Sequence, residues 1–192
     1  AAVVAIGAVG VSAASAADYV YYTNGSMMGQ SNIGRIQADG SGQNDAFASF
    51  SGQSIEAITA SGGNLYVAVG AQNAYKLWRV DSDGTKTQLG SPNLCSTAPS
   101  SATDVGYGIG VSGDYLYYFC QAGVSASSVR FLARTSLDGA TRTENFITLT
   151  GKNPSDLVVD ATNAYFPGTT GFGGSDHVYQ VALTSGASVQ AS

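Results

Sequence analysis

Few residues in this chain have side chains that could do chemistry. The single histidine, His177, stands in the run "GGSDHVY", directly after Ser175 and Asp176. A serine, an acid and an imidazole are the parts of a nucleophilic triad, but a triad needs them to converge in space. Consecutive residues of an extended strand point to alternate faces. The run therefore reads as a loop entering a strand. "GIGVSG" (108–113) satisfies G-x-G-x-x-G. A dinucleotide fingerprint must open a helix, and here "DYLYY" follows at once. These glycines are expected to let backbones approach closely. "DSDG" (81–84) resembles the start of a calcium loop, yet the closing glutamate that such a loop requires is absent. A hairpin turn is the better reading. Thirteen acidic residues are scattered rather than clustered, so general acid–base catalysis has little raw material. No catalytic, cofactor-binding or metal-binding residue is assigned, and no cofactor is expected.

The composition says what kind of scaffold carries these residues. Only 11% of the 192 residues are charged, against about 25% in an ordinary domain. Glycine is abundant, with 25 copies, and there are 11 tyrosines. This suits short strands joined by tight turns better than long amphipathic helices, which need Glu, Lys and Leu. The net charge is −5 and no basic stripe is present, which argues against nucleic acid as a partner. No segment has the roughly 20 strongly apolar residues of a membrane span. Residues 1–17 are apolar and end in small residues. They fit either a first strand, because "AVGVS" resembles "GIGVS" (108–112), or a remnant of a signal peptide. We expect the strand.

Two words recur in fixed order. The first centres on Tyr21, Tyr66, Tyr117 and Tyr165, at steps of 45, 51 and 48. Each tyrosine follows a small or branched apolar residue, and an Asp or Asn stands two or three positions earlier. The second word is "IGRIQADG", "LWRVDSDG", "LARTSLDG" and "VYQVALTSG", which places Arg35, Arg79 and Arg134 in one column with Gln180 in the fourth. A short apolar strand precedes each tyrosine, and a less regular strand follows each Asp-Gly or Ser-Gly turn. Asp-Gly is a strong hairpin signal, because the turn needs positive φ. Four strands in 45 to 50 residues, written four times, are the signature of a β-propeller blade. The fold class expected is all-β: a propeller-like array of four four-stranded antiparallel blades, forming a four-bladed ring or part of a larger propeller. It is one domain over 1–192, with approximate blades at 1–49, 50–98, 99–150 and 151–192.

The words resemble the bacterial secreted propeller repeats of the YWTD-like and NHL-like kind. "NPSDLVVDATNAYFPGT" (153–169) is the better match to the first half of that repeat, and "LWRVDSDGT" (77–85) to the second. The resemblance implies a fold and a secreted habit. It carries over no catalytic residue.

Further expectations follow from the residues. Cys95 and Cys120, 25 positions apart, are either a disulfide or two buried thiols; a bridge would stabilise by about 3 kcal/mol in the chain-entropy model. The arginine column either rings a channel as an anion site or pairs within and between blades, by ion pairs or over tyrosine faces; pairing is expected. The tyrosines are either sugar-stacking platforms or packing residues. Asn24-Gly25-Ser26 is a glycosylation sequon, expected in the loop after the first tyrosine strand. The function expected is a non-enzymatic extracellular or cell-surface propeller for binding or self-assembly, including a structural subunit of a surface filament or sheath. Its partners would be other protein chains, copies of itself among them, with carbohydrate as a further ligand. The alternatives are a propeller lyase or hydrolase and a sugar-binding lectin-like module.

Overall fold

The computed structural model describes residues 19–26, 30–70, 75–90, 95, 108–122, 129–170 and 176–191. The expectations placed on residues 1–17 lie outside them. All regular structure among the described residues is β, in four antiparallel sheets. The first sheet holds β1 (Tyr19–Ser26), β2 (Gln30–Gln37) and β3 (Asn44–Ser51). The second holds β4 (Ser54–Ser61), β5 (Asn64–Gly70), β6 (Lys76–Val80) and β7 (Lys86–Leu89). The third holds β8 (Ile109–Ser112), β9 (Tyr115–Ala122), β10 (Val129–Ser136) and β11 (Arg142–Thr148). The fourth holds β12 (Lys152–Pro154), β13 (Val158–Val159), β14 (Asn163–Thr170), β15 (Asp176–Ala182) and β16 (Gln190–Ala191).

Each sheet is a meander: strands that follow one another in the chain lie side by side and antiparallel, with β12 and β13 both pairing with β14. The Asp-Gly turns behave alike. Gly40, Gly84, Gly139 and Gly186 all have φ between +75° and +90°. In the first three turns the carboxylate of Asp39, Asp83 or Asp138 accepts a hydrogen bond from the backbone N–H two residues on, at 2.8, 2.8 and 2.9 Å. The aspartate thus closes the turn from within while glycine supplies the left-handed residue.

The fourth sheet departs from four strands. Its first strand is divided into β12 and β13, separated by residues 155–157. Pro154 has no N–H to offer the ladder, and Asp156 and Leu157 turn away before pairing resumes at Val158 opposite Tyr165. The second sheet has a bulge between Ile55 and Ala57, the corresponding place. The sequon departs from its expected loop: β1 runs through Ser26, so Asn24 lies in the strand, exposed and opposite Asn32.

Lateral stacking builds the interior. One apolar cluster joins the first and second sheets through Ile33, Phe50, Val67 and Val69. A second joins the second and third through Tyr66, Leu77, Leu116 and Tyr118. A third joins the third and fourth through Phe119, Leu132, Phe166 and Tyr179. Strand β9 is buried on both faces, since Leu116 and Tyr118 belong to one cluster and Tyr117 and Phe119 to the next. A sheet buried on both faces loses the apolar–polar alternation of an exposed sheet, and β5 and β9 read accordingly as continuous apolar runs. Among the described residues, three such clusters link four consecutive sheets, and none links the fourth sheet to the first.

Candidate functional site

The two recurring columns meet. Tyr21 stands opposite Arg35, Tyr66 opposite Arg79, Tyr117 opposite Arg134 and Tyr165 opposite Gln180. Cross-strand neighbours share a face of the sheet, so in each of the first three sheets the pair looks the same way, toward the following sheet. Tyr66 and Tyr117 sit in the clusters that join their own sheet to the next, and Tyr21 packs against the cluster that joins the first sheet to the second.

The arginines are held in two different ways. Arg35 lies between the rings of Tyr19 and Phe47, at 4.5 and 4.2 Å from their centroids, and its Nη1 donates to the Ser82 carbonyl of the second sheet at 2.8 Å. Arg134 lies between Tyr115 and Phe146, at 4.3 and 4.1 Å. Arg79 has no such rings on its flanking strands. It pairs instead with Asp81, Nε to Oδ1, at 2.7 Å. The Asp81 carboxylate strengthens the hold of the Arg79 guanidinium on its proton, first by hydrogen bonding and then by charge. An aromatic sandwich suits the flat, weakly hydrated guanidinium. The column therefore cross-links strands and neighbouring sheets.

The flanking rings, Tyr19 and Tyr115 on one side and Phe47 and Phe146 on the other, are what reading the columns alone missed. The signal was present: "DYVYY" and "DYLYY" each carry a tyrosine two positions before the column tyrosine, on the same face.

The remaining candidates resolve as follows. "DSDG" is a turn, with Asp81 engaged by Arg79 and Asp83 by the Thr85 N–H. "GIGVSG" forms β8 and its turn into β9, and opens no helix. Gly113 takes φ +55° in that turn, whereas Gly108 and Gly110 face the fourth sheet at very short range. A Cβ on Gly108 would stand 2.8 Å from the Asp156 carbonyl carbon, and one on Gly110 would overlap the Val159 side chain. Close approach of backbones is thus their role. His177 lies on β15 opposite Gly168, its ring 5.8 Å from that of Tyr179. Ser175 lies outside the described residues. Among the described residues, no three His, Cys, Asp or Glu side chains gather as metal ligands.

Cys95 and Cys120 are bonded, with Cα atoms 5.7 Å apart. The bridge ties the segment after β7 to β9, across the cluster between the second and third sheets. Two further side chains span sheets. Lys86 Nζ donates to the Ser49 carbonyl at 2.5 Å, and Arg130 donates to the Lys152 carbonyl at 3.3 Å and to the side chain of Asn153.

Tyr165, in the fourth sheet, has different surroundings. Its hydroxyl donates to Asp160 at 3.0 Å. Asp160 also accepts from the N–H groups of Thr162 and Asn163, both at 2.7 Å, and these backbone donors hold its carboxyl below the usual range. The same contact raises the Tyr165 phenol. In the second sheet, burial is the larger cause of the raised Tyr66 phenol.

This is the geometry of a β-propeller-like array: antiparallel meanders stacked face to face, each laying one column of side chains on the next. Solved structures of that kind resemble it. One is a crystal structure of a puromycin hydrolase mutant complexed with PGG, with a TM-score of 0.56 and 14% identity over 91% of this chain and 27% of that one. Another is a quinoprotein alcohol dehydrogenase-like protein from Bacteroides thetaiotaomicron, with a TM-score of 0.56 and 13% identity over 90% of this chain and 43% of that one. The chain thus spans less than half the length of either neighbour. No family model matches the chain, and no curated protein does. The likeness is one of fold.

Proposed function

We propose that the protein is a non-enzymatic extracellular or cell-surface propeller-type module that binds other protein chains, with blades of the YWTD-like and NHL-like kind. The observation that carries this reading is how the charged side chains are used. Arg35, Arg134 and Arg79 are held by rings, a carbonyl or a carboxylate inside the array, and Asp39, Asp83 and Asp138 close turns. What such a scaffold offers a partner is surface, chiefly hydroxyls, amides and exposed apolar side chains. The Cys95–Cys120 bridge supports an oxidising compartment.

The alternative is a propeller enzyme, and what favours it is the name of one structural neighbour, a hydrolase. Two measurements decide. Alkylation and mass analysis of the protein from its native source should find both cysteines blocked, and two free thiols would remove the extracellular placement. A fluorophosphonate probe and a panel of ester and peptide substrates should leave the purified chain unlabelled and the substrates intact. Stoichiometric labelling or turnover would overturn the non-enzymatic reading.

A further inference from the structure

From β2 to β5 the chain is repeated in β10 to β14, so the first and second sheets pair off with the third and fourth. Ile33, Arg35, Phe47, Gly52, Asn64 and Tyr66 each have a counterpart 99 positions later: Leu132, Arg134, Phe146, Gly151, Asn163 and Tyr165. That offset holds without insertion from the first sheet into the second, whereas the steps between neighbouring sheets vary. The structure keeps the same pairing. The first and third sheets share the arginine sandwich, and each has a bulge at one place, between Ile33 and Arg35 and between Leu132 and Arg134. The second and fourth share register: Thr59 opposite Tyr66 matches Val158 opposite Tyr165, and Ser54 opposite Gly70 matches Asn153 opposite Thr169.

This equivalence says what belongs on the outer face of the fourth sheet. In the second sheet that face carries Tyr66, Ala68 and Leu77, and it is covered by Leu116, Tyr118 and Ala133 of the third sheet. The corresponding face of the fourth sheet carries Tyr165, Pro167 and Val178. Leu77 is 4% exposed and Val178 51%, and Val158 on the same face is 64% exposed. The same kind of surface is closed in one place and open in the other. The side chains that would close it are those of a third-type sheet, and the first sheet is of that type. Val20, Tyr22 and Gly34 occupy the positions of Leu116, Tyr118 and Ala133, and the Tyr22 ring fills the space a side chain on Gly34 would take.

We infer that the outer face of the fourth sheet docks the first sheet of a second copy of this chain, reproducing between molecules the junction of the second and third sheets. The contact is head-to-tail, and such contacts extend into a ring or filament. The inference rests on the protein-binding reading above and names the partner.

Light scattering on the purified chain should show a mass that rises with concentration, and Val178→Lys should hold it at one chain. Val178 is half exposed, so this variant leaves the three internal clusters intact. Orientation is tested by mixing two variants, Val178→Cys and Val20→Cys, under mild oxidation. The native cysteines are already paired, so a cross-link between the two variants, and none within either alone, is the expected result. A monomer at all concentrations overturns the inference, as does Val178→Lys associating like the parent. Cross-linking of Val178→Cys to itself overturns it in favour of a symmetric pair. A monomer that captures a different protein through Val178 overturns the second-copy partner but leaves the binding reading standing. Turnover in an assembling chain does the reverse.

Discussion

Tyr117 and Arg134 face each other on β9 and β10, and the guanidinium of Arg134 is gripped by Tyr115 and Phe146 on the strands to either side. Tyr21 and Arg35 repeat the relationship in the first sheet, with Tyr19 and Phe47 as the grip. One cation thereby joins three strands of a sheet, on the face that packs against the next.

The sandwich makes a definite demand on side-chain shape. Arg134→Ala should lower stability by about 1–2 kcal/mol, the scale of a partly desolvated cation–π contact. Arg134→Lys should recover only part of this, because an ammonium cannot lie flat between two rings. Denaturant midpoints of the three proteins, measured at equal slope, give the comparison; equal midpoints for Arg and Ala would show the grip to be inert.

The disulfide should stabilise by constraining the unfolded chain. Its loop spans a sequence separation of 25 residues, for which the chain-entropy model gives about 3 kcal/mol. Cys95→Ser with Cys120→Ser should unfold at a clearly lower temperature than the parent. Reductant should bring the parent down to the level of the variant and leave the variant unmoved. A parent insensitive to reductant and double substitution would contradict the expectation.

Gly110 should be intolerant of a side chain for steric reasons alone. Gly110→Ala drives a methyl group into Val159 of the fourth sheet, and overpacking of this kind costs about 1–3 kcal/mol. Val159→Ala in the same molecule should restore much of the loss, so that the two changes are strongly non-additive. Simple addition of the two losses in a double-mutant cycle would mean that the strands do not meet as described. Gly108→Ala meets backbone at Leu157 and Asp156, and no side-chain trimming should rescue it.

Acid should loosen the turns. Asp39 and Asp83 are held below the ordinary carboxylate range chiefly by the backbone N–H groups of Ser41 and Thr85, and Asp138 first by the Ser136 hydroxyl and then by the Ala140 N–H. A carboxyl that titrates lower when folded than when unfolded stabilises the fold above its unfolded value, about 3.9, and the contribution is lost as pH falls through the folded value. The melting temperature should therefore decline on the acid side of about pH 4. Replacing all three with Asn should flatten that limb while leaving the turns able to form. An unchanged acid limb in the triple variant would place the sensitivity elsewhere.

Much of the array was legible because it is local. Asp-Gly and Ser-Gly turns need positive φ at glycine whatever surrounds them, and Gly40, Gly84, Gly139 and Gly186 all have it. Strand order follows from short turns, and the columns of tyrosine and arginine follow from equal spacing between turn and strand. The break between β12 and β13 and the continuation of β1 through Asn24-Gly25-Ser26 were less legible, since each depends on how far a ladder extends rather than on a turn signal.

What the amino-acid order determined alone is thus the turns, the succession of strands and the columns of recurring residues. What only the tertiary structure decided lies between sheets. Arg35 reaches the Ser82 carbonyl; Cys95 meets Cys120; Leu77 is covered where Val178 is open. Hydrogen-bonded turns and ladders are settled by residues a few positions apart. The partner of a sheet face is settled by how twisted sheets stack, and no spacing along the chain encodes that distance.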